Sequence, residues 1–300
     1  MNRRVLAIGE CMVELAPAGS GLFRQGFAGD TFNMAWYLRR LLPADWPVDY
    51  VTAVGDDPMS LAMLDFMRAS GIGTSHVFIR KGGSTGLYLI SIKDGERSFS
   101  YWRGQSSARS LARDETELAD ALQGAELIVL SGITLAILPA DDRQRLLAAL
   151  ATAKRAGSQI AFDPNLRLRL WPDPCVMRAA VEEAVAVADT VLPSYEDEKL
   201  AFGDPSPEAT IERYRRSGAN DVVVKNGAGA IHWSGTEGAG HWLPPPAASV
   251  VDTTAAGDSF NAGFLSARLT GHKLTRAVQL GAEIAACVIG APGALVALQV

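Results

Sequence analysis

The chain has 300 residues, of which 48% are hydrophobic and 20% charged, and carries a formal net charge of −5. This length and apolar content suit one large domain with a substantial core, while the acidic balance, without a block of basic residues, excludes the electrostatic footprint of a nucleic-acid binder. Cys11, Cys175 and Cys287 are far apart and odd in number, which excludes a disulfide framework and fits a reducing, cytoplasmic setting.

The first apolar run, residues 5–8, reads as a buried strand and is too short for the core of a signal peptide. No run approaches the length of a membrane span. Residues 11–15 continue apolar after a bend at Gly9-Glu10, and residues 20–29 read as a glycine-rich loop. Asp30 or Thr31 then caps a helix that Pro43 ends. Residues 48–54 predict a strand, and Gly55-Asp56-Asp57-Pro58 a turn with Pro58 at the first helical position. The texture changes at residues 86–93 and 97–103, two alternating runs joined by Asp94-Gly95, a strong hairpin signal. This hairpin, with residues 11–15, reads as a small sheet standing off the core. Regular alternation follows: strands at residues 127–130, 159–162, 190–192 and 222–225, helices at 139–156, 175–187 and from Ser194. Residues 231–233 and 241–243 suit an edge hairpin, and helices from Ala256 and Leu274 close the chain. Short apolar strands alternating with amphipathic helices predict a mostly parallel sheet covered on both faces.

Open sheets of this kind bind ligands at the carboxyl ends of their strands, and several polar clusters fall there. Asp252-Thr253-Thr254-Ala255-Ala256-Gly257-Asp258 reads as a loop turning into a helix, with Phe260, Phe264 and Leu265 at helical spacing. The tiny side chains of Ala255, Ala256 and Gly257 let bare N–H groups approach a ligand, and the helix dipole adds about half a positive charge. Asp258 at the lip of such an anion hole suits a base that deprotonates a hydroxyl attacking a held phosphate. The same residues also suit an ordinary capped helix.

Gly29-Asp30-Thr31-Phe32-Asn33 offers Asp30 and Asn33 to a polyhydroxylated ligand. Tyr101 and Arg103 share a strand face, with Tyr88 on the partner strand, and a guanidinium there can grip a carboxylate bidentately. Asn165, Arg167 and Arg169 follow a strand at two-residue spacing, and Arg167 suits a carboxylate or a phosphate. Lys225, Gly227, Ala228 and Gly229 form a turn suited to lie along a nucleotide. Glu196, Asp197 and Glu198 complement a helix dipole, and one of them could orient magnesium through water. Each cluster also has a plain reading as a cap, an aromatic edge or a solvated loop. No G-x-G-x-x-G follows the first strand, no G-x-x-x-x-G-K-[ST] occurs, and the histidines and cysteines lack zinc spacing.

Together the clusters carry a resemblance. Asp252-Thr253-Thr254-Ala255-Ala256-Gly257-Asp258-Ser259-Phe260 resembles the C-terminal signature of the ribokinase-like (PfkB) sugar kinases, and Gly29-Asp30-Thr31-Phe32-Asn33 their N-terminal sugar-binding signature. Ile8-Gly9-Glu10-Cys11-Met12-Val13-Glu14-Leu15, Tyr101-Trp102-Arg103, and Asn165 with Arg167-Leu168-Arg169-Leu170-Trp171 are similar to the 2-keto-3-deoxygluconate branch of that family. So is Ser131-Gly132-Ile133-Thr134-Leu135-Ala136-Ile137-Leu138, and the resemblance runs from residue 4 to 291. Ala28 stands where the signature usually has a second glycine, and alanine fits there if its φ stays negative.

The resemblance implies a single kinase domain over residues 1–300, with an α/β, three-layer αβα Rossmann-like core and a small β-sheet lid at residues 11–26 and 74–104. It implies ATP-dependent phosphorylation of 2-keto-3-deoxygluconate at its C6 hydroxyl, with ATP and Mg2+ as cofactors and neither nucleic acid nor membrane as partner. Asp258 is the expected base, and Ala255, Ala256 and Gly257 the phosphoryl hole. Arg103 and Arg167 are expected to read the sugar acid, and Gly29, Asp30, Asn33, Tyr88 and Tyr101 its other groups. Asn165, Ser194, Lys225, Gly227, Ala228 and Gly229 are expected along the nucleotide, with Ala282, Ala285 and Val288 near adenine. A kinase for fructose or ribose, or a non-catalytic sugar-binding regulator, is the alternative; the two arginines argue for the acid sugar. The edge strand at residues 86–93 needs cover, which a homo-oligomer joined through the lid would give.

Overall fold

The computed structural model describes residues 3–93 and 96–298. In chain order these form β1 (Val5–Ile8), β2 (Met12–Gly19), β3 (Leu22–Ala28), α1 (Asp30–Leu41), β4 (Val48–Gly55), α2 (Pro58–Ala69), β5 (Val77–Arg80), β6 (Leu87–Lys93) and β7 (Glu96–Trp102). Then come α3 (Glu115–Leu122), β8 (Leu127–Ser131), α4 (Gly132–Ile137), α5 (Ala140–Arg155), β9 (Gln159–Asp163), α6 (Pro174–Val187), β10 (Thr190–Val191), α7 (Tyr195–Phe202) and α8 (Pro207–Arg216). The last elements are β11 (Asp221–Val224), β12 (Ile231–Gly235), β13 (Gly238–Trp242), α9 (Ala256–Leu269) and α10 (Leu274–Ile289).

A nine-stranded sheet runs β13-β12-β11-β10-β9-β8-β1-β4-β5, and a four-stranded sheet runs β3-β2-β6-β7. In the large sheet β12 pairs antiparallel with both β11 and β13, and the strands from β11 to β5 run parallel. Side-chain alternation explains its layers. Val5 and Ala7 of β1 fall in one apolar cluster, Leu6 and Ile8 in another, and β8 splits the same way. Strands buried on both faces need helices on both. α1, α2, α9 and α10 cover one face, and α3 to α8 the other. Among the described residues no helix is long and apolar enough to cross a membrane.

Residues 20–29 are not a loop, because β3 pairs antiparallel with β2 from Met12↔Ala28 to Pro17↔Phe23. The outer half of β3 is exposed, so it lacks an apolar signature, and only its distant partner makes it a strand. Residues 77–80 also depart from expectation: β5 joins the edge of the large sheet against β4. Within residues 74–104 the small sheet therefore takes only β6 and β7. The expected Asp94-Gly95 turn lies outside the described residues, although β6 and β7 pair antiparallel on either side of it. Helix α1 has Gly29 as its N-cap and no side-chain cap, in place of Asp30 or Thr31.

β1 lies between β8 and β4. Successive parallel strands depart from it in opposite directions, which creates a switch point. The segments that follow β1, β8, β9, β10 and β11 therefore open at one end of the sheet.

Candidate active site

Two helix N-termini build the centre of the site. α1 and α9 pack side by side, and Asn33 Nδ2 donates to Asp258 Oδ2 at 2.8 Å. The approach of α1 depends on Gly29. A Cβ there would lie 2.2 Å from the Glu10 carbonyl oxygen, so closeness and not φ requires glycine. Ala28 keeps a negative φ, as its place in the signature needs. Asp30 Oδ2 accepts from Asn165 Nδ2 at 2.8 Å. Asn165 has a φ of 36°, and Asp163 Oδ1 accepts its N–H at 3.0 Å.

The turn into α9 contains a feature that the sequence does not announce. Ala255, its N-cap, has φ 60° and ψ 15°, a left-handed conformation that costs a non-glycine residue about 1–2 kcal/mol. The Ala256 N–H is already bonded to the Thr253 carbonyl at 3.2 Å. Among the described residues the N–H groups of Ala255, Gly257 and Asp258 have no acceptor. The expected trio thus shifts: Ala255 and Gly257 stay as free donors, and Asp258 replaces Ala256. Lys225 Nζ lies 3.6 Å from the point a Cβ would occupy on Gly257, held by Asp163 Oδ2 at 2.9 Å and Asn261 Oδ1 at 3.0 Å. Its ammonium thus sits beside these N–H groups, paired with Asp163.

Burial pushes the Asp258 carboxyl up to about 8, and the neighbouring Asp30 charge adds to the rise. The hydrogen bond from Asn33 and the Lys225 charge oppose it without cancelling it. A carboxylate poised near the operating pH is a stronger base than an ordinary aspartate.

A cavity of about 830 Å³ gathers Gly29, Asp30, Asn33, Tyr88, Tyr101, Arg103, Arg167 and Asp258, all of the expected sugar-side residues. Asn165, Ser194, Lys225 and the Ala255-Ala256-Gly257 turn line it too. Tyr88 donates its hydroxyl to Glu14, and burial together with the Glu14 charge pushes its pKa up. Its oxygen is therefore an acceptor towards a ligand. Arg103 forms an ion pair with buried Glu10, so its charge is balanced before any ligand arrives. Arg167 meets Asp197 at 3.3 Å but is half exposed, and such a screened contact is weak. It is the freer of the two guanidinium groups.

Other expected residues lie elsewhere. Gly227 and Ala228 are exposed and Gly229 half-buried on the turn after β11. Ala282 and Ala285 are half-buried on α10. Val288 is fully buried in the core, since helical spacing puts it on the inner face with Gly281 and Ile284. It presents no surface to an adenine. Of the three acids after Ser194, only Asp197 reaches the cavity. Sequence reasoning missed Arg97, Phe99, Glu10 and Asp163, which also line the cavity. For the first two a signal existed: alternation carried back from Arg103 and Tyr101 puts Phe99 and Arg97 on the same strand face.

Residues 2–299 match the pfkB family carbohydrate kinase. The 2-dehydro-3-deoxygluconokinase of Haemophilus influenzae is 37% identical over 300 residues, spanning 98% of this chain and 96% of that one. A PfkB protein from Polaromonas sp. JS666 superposes with a TM-score of 0.83 at 31% identity, over 97% of each chain. A putative ribokinase II from Escherichia coli, solved with ATP and Mg2+, has a TM-score of 0.85 at 22% identity, over 97% of this chain and 94% of that one, and shares the fold.

Proposed function

This chain belongs to the pfkB family of carbohydrate kinases, and from that premise we propose that it transfers the γ-phosphoryl of ATP to the C6 hydroxyl of 2-keto-3-deoxygluconate (2-dehydro-3-deoxygluconate). The product is 2-keto-3-deoxy-6-phosphogluconate. The observation that carries this reading is the convergence of the Asp258 carboxylate, three free N–H groups and the Arg103 and Arg167 guanidinium groups on one cavity.

The residues divide the work by chemistry. Asp258 accepts the proton of the C6 hydroxyl as that oxygen attacks phosphorus. The N–H groups of Ala255, Gly257 and Asp258 and the Lys225 ammonium hold the charge that develops on the transferred group. Losing one such donor typically costs about 100- to 1,000-fold in rate. Arg167 pairs with the sugar carboxylate. Arg103, oriented by Glu10, donates to the keto group, and Asp30, Asn33, Tyr88 and Tyr101 bind hydroxyls. The turn holding Gly227, Ala228 and Gly229 lies along the nucleotide, with Asn165 and Ser194 towards its phosphates and Ala282 and Ala285 beside adenine. The small sheet acts as a lid, excluding water that would compete for the phosphoryl group.

Mg2+ fits as a nucleotide-bound ion. Among the described residues no group of three or more acidic, histidine or cysteine side chains could cage a metal, and Mg2+ is commonly held by substrate phosphates with one or two carboxylates. Asp197, which lines the cavity, is one carboxylate that would meet it, and the ion would neutralise phosphate charge. The exposed Leu22, Phe23, Ile92 and Trp102 of the small sheet support a second copy covering that sheet.

A coupled kinase assay over sugar acids and neutral sugars tests the reading. Phosphorylation of 2-keto-3-deoxygluconate well above fructose and ribose is expected. Preference for a neutral sugar would overturn the substrate, and no turnover with any sugar would favour a sugar-binding regulator.

A further inference from the structure

Arg97 stands on β7 and lines the cavity with Phe99, Tyr101 and Arg103, and it bonds to the segment that enters α9. Its guanidinium forms an ion pair with Asp252, and its Nη1 donates to Thr254 Oγ1 at 3.1 Å. The contact joins the small sheet to the segment that enters α9, 157 residues away. The Asp252 side chain is only 1% exposed. It also accepts the Thr254 N–H at 3.0 Å, the Thr254 hydroxyl at 2.7 Å and the Gly293 N–H at 2.6 Å. The Thr254 hydroxyl therefore donates to Asp252 and accepts from Arg97. The next residue is left-handed Ala255. A strained residue persists only where its surroundings over-determine it, and here Asp252, Thr254 and Arg97 supply that constraint. The turn they fix is the one that aims the free N–H groups of Ala255, Gly257 and Asp258.

We propose that Arg97 is a positioning residue that latches the small sheet to the phosphate-binding turn, so that the hole takes its working geometry when the sheet is closed over the sugar. The inference rests on the kinase reading above. Arg97 acts through Asp252 and Thr254 and touches no reacting atom. Without it the turn keeps Asp252 and its remaining partners but loses its tie to the sheet. The donors then lose aim at the developing charge, and water gains entry. Turnover suffers more than sugar binding, and ATP hydrolysis grows relative to sugar phosphorylation.

The test is steady-state kinetics of the full chain, its Arg97→Ala, Arg97→Lys and Thr254→Val variants, and the Arg97→Ala/Thr254→Val double variant. Arg97→Ala is expected to lower kcat by about 10- to 100-fold, less than the outright loss of a donor, with little change in sugar KM or in melting temperature. Arg97→Lys recovers part of the loss. The double variant loses little more than the worse single variant, because residues acting as one unit are not additive. If Arg97→Ala fails to fold, Arg97→Lys and Thr254→Val carry the test, each with lowered kcat at unchanged sugar KM. Unchanged kcat, or a rise in sugar KM alone, would overturn the latch; the second result would make Arg97 a reader of the sugar carboxylate. If the unaltered chain fails to phosphorylate the sugar acid, the kinase reading fails first, and the two failures remain distinct.

Discussion

Asp258 and Glu198 are both buried and pushed above the ordinary carboxyl range, yet their surroundings differ. Asp258 rises to about 8 and Glu198 to about 7, in both cases first through burial. Glu198 is closed in. It accepts from Arg213 Nη2 at 2.7 Å and from Tyr214 Oη at 2.8 Å. Arg213 in turn binds Asp204 and stacks over Phe202 and Tyr214. Asp258 has one side-chain donor, Asn33, and opens onto a cavity beside free N–H groups. A perturbed pKa marks either a working group or a structural ion network. What separates them here is what each carboxylate faces: an open cavity, or the side chains of Arg213 and Tyr214.

Replacing Asp258 should break that contrast most visibly. Asp258→Asn keeps shape and removes the base, so kcat should fall by about 1,000-fold, within the range for general base catalysis. Stability should move the other way. The folded-state value of about 8 exceeds the ordinary 3.8, so between these values the folded chain holds a proton that the unfolded chain has released. That contribution is fully present below 3.8 and is lost as pH rises through 8. Asn carries no such dependence, so the variant should melt higher than the unaltered chain at pH 8.5. Near-normal turnover, or a lower melting temperature at that pH, would remove Asp258 from the role of desolvated base.

Arg167→Ala sharpens the substrate side. A charge-assisted hydrogen bond is worth about 1.5–3 kcal/mol, so the sugar-acid KM should rise by about 10- to 100-fold, with kcat changed less. Fructose, which has no carboxylate, should show no such loss. An equal loss for both sugars would mean that Arg167 binds phosphate, the alternative that its sequence context leaves open.

The pH profile sharpens the base itself. Because kcat/KM reports the free enzyme, it should climb about tenfold per pH unit on the acid side and level off near pH 8. A plateau already reached near pH 5 would show an Asp258 ionised in the free site.

The sequence made part of this legible. Buried parallel strands read well because their apolar runs are continuous and flanked by helical periodicity, as at β8 and β9. The residues expected on the sugar side do gather on one cavity, because spacing along α1 and β7 fixes a common face. β3 was not, since its exposed outer half is held only by pairing with β2. The left-handed turn at Ala255 was hidden because alanine does not advertise positive φ as glycine does. The partners of Arg103, Lys225 and Arg97 were hidden for another reason. Glu10, Asp163 and Asp252 lie far from them in the chain, and no local pattern tells an arginine free for a ligand from one already paired.

Glu198 gives the smallest effect on activity and the sharpest check on the comparison. Glu198→Ala deletes the acceptor for Arg213 and Tyr214 at a fully buried position, and Asp204 remains bound to Arg213. Breaking such a buried pair costs about 3 kcal/mol or more, so denaturant unfolding should show a clear loss of stability. The kcat per folded molecule should stay within about twofold, because sites without shared partners add independently. One route could defeat this expectation. Asp197, the next residue on α7, lies on the cavity wall, so a shift of that helix would reach the site. If Glu198→Ala keeps its stability but loses turnover, the network holds α7 in register for catalysis. The distinction between a working carboxylate and a structural one would then dissolve.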